Sequence, residues 1–337
     1  MRDRKFQLRY AIHRSLIFVW ILILGFFLPV IIAVAGEPET PDSTTVSSAL
    51  DDDRYYPSLD DGTSWRKSTQ LKPWRLGVIV GGFLIFDAAG YAKISQLQYD
   101  TKTTSFHFHE GSRDIREYKQ IDKVGHFVEA YYMSHLTSKI YRWAGLSAPS
   151  SIWFGSLTGF LWMLQIEITD GFYEAWGFSY YDLLFNVLGC GYSALQQFYP
   201  EQLKGIRFKV SYAPSDAYKN GLYPPYSDSI LDDYEGINFW MTFNIYDLVP
   251  GNWRRSYPGW LAPWGISLGY GVEGIARDVF GGQREFLIGL DIDLNKIPTG
   301  ENKFVKFWKD EFNFIRLPLP AVRISPTTIW FGFYFSG

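Results

Sequence analysis

IDKVGHFVEAYYMSHL (residues 121–136), MLQIEITDGFYEAWG (163–177) and FSYYDLLFNVLGCGY (178–192) decide how this chain folds. Each places acidic, imidazole or amide side chains at helical spacing on an otherwise apolar segment. Asp122 and His126 are four apart; Glu167, Asp170 and Glu174 follow at i, i+3 and i+7; Asp182, Asn186 and Gly189 repeat the rhythm. Residues three or four apart share one face of a helix. Three helices that each carry such a stripe are therefore expected to meet around a common polar interior. A charge left unpaired there would cost several kcal/mol or be neutralised by a pKa shift, so mutual pairing, a bound ion or a chemical task is expected of the cluster.

Working outward, the flanks divide the chain into four parts. Residues 1–36 begin MRDRKFQLRYAIHR, run on through about twenty uncharged apolar residues and end on Ala33-Val34-Ala35 before Gly36. A basic start, an apolar middle and a small-x-small exit predict a cleaved secretory signal; the alternative is an uncleaved anchor, since the run is long enough to span a bilayer. Both readings export the remainder, to the periplasm or a membrane, the outer membrane included. No Cys follows the exit, so acylation at the new N-terminus is not expected. Residues 37–72 are polar, aperiodic and rich in Ser, Thr, Pro and Asp, the composition of a disordered tether. The acidic DDDRYYPSLDDG within them does not match a calcium-loop spacing.

Residues 73–204 predict a helical core of about four apolar helices. In the first, Gly77 and Gly81 would admit a close helix neighbour, and Asp87 needs a partner. Residues 95–120, with His107, His109 and Glu110, read as a surface loop. Ser179 fits an N-cap, and Gly189 and Gly191 thin the last helix for packing. From residue 205 to 337 the period changes to 2, at Ile206–Tyr212, Ile237–Ile245, Ile266–Val272, Phe286–Leu294 and Ile329–Phe335. The fold class is α+β: a helical bundle followed by an antiparallel β region of about six strands. That is fewer than a closed outer-membrane barrel usually has, so a partial sheet packed on the helices is expected.

Composition narrows the partners. Aromatic residues make up 19% of the chain (13 Trp, 23 Tyr, 27 Phe), which suits a lipid interface or a large groove as well as a tyrosine-rich sheet. A net charge of −3 lacks the basic face that nucleic acid demands. One cysteine, Cys190, excludes an internal disulfide and reads as a small buried hydrophobe.

Taken jointly, D-K-x-x-H (Asp122, Lys123, His126), E-x-x-D-G (Glu167, Asp170, Gly171), W-G-x-S (Trp176, Gly177, Ser179) and D-x-x-x-N-x-x-G (Asp182, Asn186, Gly189) resemble the YfiM-like family. Its members are predicted periplasmic lipoproteins of unknown function. The set is also similar to the VanZ-like membrane proteins. The resemblance covers residues 118–200; this chain differs in lacking the lipoprotein Cys and in adding a long β region.

Three functions fit. The first is an envelope binding or structural module in which Asp122, Lys123, His126, Glu167, Asp170, Ser179, Asp182 and Asn186 form a buried network that locks the helices. An aromatic β face would then meet membrane lipid or a protein partner. The second is a metal-assisted hydrolase or transferase acting on a lipid-linked envelope substrate. There His126 is general base or ligand, Glu167 and Asp170 hold a divalent cation, and Asp182 orients the imidazole. The third is a transporter or proton relay.

Overall fold

The computed structural model describes residues 71–97, 103–223, 230, 232–300 and 302–334. The signal or anchor at 1–36, nearly all of the tether at 37–72 and the Asp87 side chain lie outside the described residues. The expected helices form as α1 (Pro73–Leu97), α2 (Ile121–Ala144), α3 (Ala148–Asp170) and α4 (Tyr180–Phe198). Ser147 and Ser179 cap α3 and α4, each accepting a bond from the backbone N–H three residues on. Gly145, at φ 107°, ends α2. No helix among the described residues is long and apolar enough to cross a membrane.

Small residues set the spacing of α2, α3 and α4. A Cβ on Gly155 would stand 2.2 Å from Ser138 Oγ, and one on Gly159 would stand 2.6 Å from Ser134 Oγ; on Gly189 it would meet the Phe127 carbonyl at 2.2 Å. Three of the glycines marked in the sequence behave otherwise. Gly77 and Gly81 have open space around them, as does Gly191. Helix α1 packs through Leu76 and Ile79, which meet Tyr141, Ala144 and Leu146.

The β region is one six-stranded antiparallel meander in chain order: β1 (Ile206–Tyr212), β2 (Ile237–Asn244), β3 (Trp264–Glu273), β4 (Gln283–Ile292), β5 (Ala321–Ser325) and β6 (Ile329–Phe331). The open edge of β1 is covered by residues 314–316: Val210 N–H donates to Phe314 O (2.9 Å) and Arg316 N–H to Val210 O (2.8 Å). On one face Phe208 and Phe239 pack on Phe127, Ile121 and Val128 of α2, so the bundle sits over β1 and β2.

The opposite face is buried and polar. There Lys209 pairs with Asp291 at 2.9 Å, and Arg316 stacks on Trp240 with its guanidinium carbon 3.9 Å from the ring centre. Strands β3 and β4 consequently turn apolar side chains outward: Trp264, Ile266, Leu268, Phe286, Ile288 and Leu290 are each 36–44% exposed, while Ser267, Glu285 and Asp291 are buried.

Helix α5 (Lys303–Phe312), which the sequence reading passed over, is capped by Asn302 and fastens the sheet to α2. Its Asp310 contacts Lys139, Arg207 (3.1 Å) and His135 (3.6 Å). Burial opposes ionisation of Asp310, but Lys139, His135 and Arg207 outweigh it and hold the carboxyl well below its ordinary range. A group with a depressed folded-state pKa contributes stability above its unfolded value of about 3.9 and loses it as pH falls. Asp310→Asn is therefore expected to be less stable than wild type at neutral pH and to show a shallower stability loss below about pH 4, by denaturant unfolding at stepped pH.

Candidate functional site

The three polar stripes converge on a cavity of about 330 Å³ between α2, α3, α4 and the start of β2. At its floor lies Lys123, 3% exposed. Its ammonium contacts Asp114, lies 2.7 Å from Asp182 Oδ1, and donates to Asp182 Oδ2 (2.8 Å) and Asp122 Oδ2 (3.1 Å). Burial opposes the charge on Lys123, yet Asp122 and Asp182 outweigh it and raise its pKa.

One turn along α2, the His126 ring bridges the helices. Its Nδ1 is 3.2 Å from Asn186 Oδ1 and 3.4 Å from Glu167 Oε1. Its Nε2 faces Asp122 Oδ1 at 3.7 Å and Asp182 Oδ1 at 3.9 Å. Burial alone would lower the imidazole, but Asp182, Asp122 and Glu167 prevail and raise it to about 10. Glu167 is pushed well above the usual carboxylate range, by burial first and then by Asp182, Asp170 and Asp122 against the pull of His126. The second oxygen of Glu167 accepts from Ser179 N (3.3 Å). Ser179 Oγ caps α4 through Asp182 N (3.0 Å) and donates to Asp114 (2.6 Å).

Seven of the eight network residues singled out in the sequence thus touch one another. Asp170 lines the cavity at the end of α3. The run read at Glu167, Asp170 and Glu174 does not hold to its end: α3 stops at Asp170, so Glu174 falls in the exposed turn beyond. Glu167 lies on the Nδ1 side of the imidazole, away from the gap between Asp122 and Asp182.

Other lining residues had no local signal. Asp114, from the segment read as a surface loop, is 3% exposed. His109 from the same segment pairs with Glu117 at 3.2 Å, and both line the cavity. The hydrogen bond it donates to Glu117 raises the His109 imidazole despite burial. Three consecutive left-handed residues, Tyr118, Lys119 and Gln120 (φ 51°, 53° and 67°), turn this segment back onto α2. Such residues need outside support. The β3–β4 hairpin and its loop supply it: Tyr118 N–H donates to Val279 O (2.8 Å) and Arg284 to Gln120 (2.6 Å). From the sheet side, Tyr234 OH donates to Asp122 Oδ1 at 2.9 Å.

Residues 113–198 match the model of a family described as "Predicted periplasmic lipoprotein (DUF2279)". That is about a quarter of the chain, and it includes every network residue named from the sequence as well as Asp114. The match bears out the resemblance carried by Asp122, Lys123, His126, Glu167, Asp182 and Asn186. It also agrees with an exported protein that is periplasmic or membrane-associated. No curated protein and no solved structure matches the chain.

Proposed function

We propose that this envelope protein is a binding module that docks on lipid through the open face of β3 and β4, while its polar cluster locks the helices onto the covered half of the sheet. One observation carries the reading: beyond the bundle, β3 and β4 turn apolar side chains outward and bury Ser267, Glu285 and Asp291 on the other face. An antiparallel sheet with one face in water ordinarily does the reverse, whereas apolar-out and polar-in is the arrangement of sheets that face lipid. No charged side chain interrupts Trp264, Ile266, Leu268, Phe286, Ile288 and Leu290. Trp260, 73% exposed, stands just before β3, and indoles at the end of an apolar band suit the headgroup region.

The test is a polarity-sensitive dye on Leu268→Cys, with the full chain reconstituted on phospholipid vesicles. Cys190 is buried and should escape labelling. Blue-shifted emission is expected at position 268, with none from a dye on Lys219→Cys, which lies in an exposed turn. Water-like emission at 268 would rule out lipid contact there, however the N-terminal segment is anchored.

A second reading, metal-assisted hydrolysis or group transfer on a lipid-linked substrate, has a specific observation in its favour. The polar cluster is not sealed but lines a cavity walled by Trp162, Trp176 and Tyr234. His126 would then be a ligand to the cation with Asp182 beside it, which requires a cation site next to the imidazole.

A further inference from the structure

We infer that Asp122 Oδ1, His126 Nε2 and Asp182 Oδ1 form a binding site for one divalent cation of borderline hardness, of the Mn²⁺ or Zn²⁺ class. The three atoms lie within 4.8 Å of one another, with Nε2 at 3.7 and 3.9 Å from the two oxygens. A cation centred among them would stand roughly 2.2–2.5 Å from each, close to metal–oxygen and metal–imidazole bond lengths. One imidazole beside two carboxylates favours Mn²⁺ or Zn²⁺ over the harder Mg²⁺ and Ca²⁺. The site is separate from the lipid-docking face and stands or falls without it.

Proximity of acids alone would not carry this, and two further features point to a ligand. Asp182 is 6% exposed, yet its Oδ1, aimed at the His126 ring, accepts no aligned hydrogen bond, not even from the nearby Lys123 ammonium. Glu167, 1% exposed, turns Oε1 to the other ring nitrogen at 3.4 Å, so Nε2 is left to face the gap between the two aspartates. Buried carboxylate oxygens are normally bonded, and a divalent cation in that gap would displace the imidazole proton and bond to Asp182 Oδ1 in its place.

The surroundings are also those of a ligating histidine. Asn186 and Glu167 engage Nδ1 and so fix the ring with Nε2 toward the two aspartates, while Tyr234 orients Asp122 Oδ1. Such outer partners set ring orientation and ligand basicity.

The experiment is calorimetric titration of the chelator-treated full chain with MnCl₂ and with ZnCl₂, read together with the thermal midpoint. One equivalent is expected to bind and to raise the midpoint. Tyr234→Phe, which keeps the ring and loses only the hydroxyl, should weaken affinity about 10–100-fold. Asp182→Asn should abolish binding. Since Asp182→Asn also removes a partner of Lys123, X-ray absorption of the Zn²⁺-loaded wild type gives a second measure: one nitrogen with oxygen neighbours is expected. Failure to bind an equivalent overturns the site, as does an equivalent that Tyr234→Phe and Asp182→Asn leave unchanged, or a shell without nitrogen.

Discussion

Lys123→Met is expected to lower stability by about 3–5 kcal/mol, the usual result of removing one partner from a buried ion cluster. Three carboxylates, Asp114, Asp122 and Asp182, converge on this ammonium. Methionine fills the volume of the stem but leaves the acids facing one another. Part of the loss would be relieved by protonation. Asp182 is the first candidate, since burial and then Asp122 already raise its carboxyl above the usual range. Asp122 loses Lys123 but keeps His126 and the Tyr234 hydrogen bond, which still favour its charged form. Chemical denaturation of Lys123→Met, Asp182→Asn and the double variant would show the coupling. The double variant should be less destabilised than the two single losses added. A Lys123→Met protein within about 1 kcal/mol of wild type would mean that the cluster contributes little to holding the helices.

Gly155→Val should also cost much, about 1–3 kcal/mol or more from overpacking, and for a geometric reason. Its Cβ would fall 2.2 Å from Ser138 Oγ and 2.5 and 2.6 Å from the Ser138 backbone N and Cα. A hydroxyl can rotate away, but the α2 backbone cannot, so α3 must move outward. Because α3 carries Glu167, that movement would withdraw its carboxylate from His126. The control is Gly191→Ala, one turn of α4 with nothing within 4 Å of the new methyl. It should be neutral or more stable by about 0.5–1 kcal/mol, since alanine is the better helix former. Thermal melts of the two variants decide the matter: equal midpoints would show that the α2–α3 spacing is not set at Gly155.

Some of this architecture was legible because it depends on local rules. Helical spacing on apolar segments gave α2, α3 and α4, with Ser179 as cap, and strict alternation gave five of the six strands. Helix α5 was passed over because KFVKFWKDEF is short and sits among strands, although Asn302 before it is a cap signal. Strand β5 was missed because AVRIS is brief and follows a proline-rich approach. Gly77, Gly81 and Gly191 carry the same signal as Gly189, because a glycine's spacing says that a neighbour can approach and not that one does.

By itself, the sequence determined that Asp122, Lys123 and His126, Glu167, and Asp182 and Asn186 lie on three apolar helices, since side-chain direction within a helix follows from its pitch. It also determined which side chains share each face of every recognised strand. Only the tertiary structure decided that Asp114 and Tyr234 complete the cluster, and that α2 covers β1 and β2 while β3 and β4 keep their apolar face open. Those outcomes depend on contacts between residues far apart in the chain, on the left-handed run at Tyr118–Gln120 and on the stacking of Arg316 on Trp240. No local pattern encodes them, because the free energy that selects them exists only once distant surfaces have met.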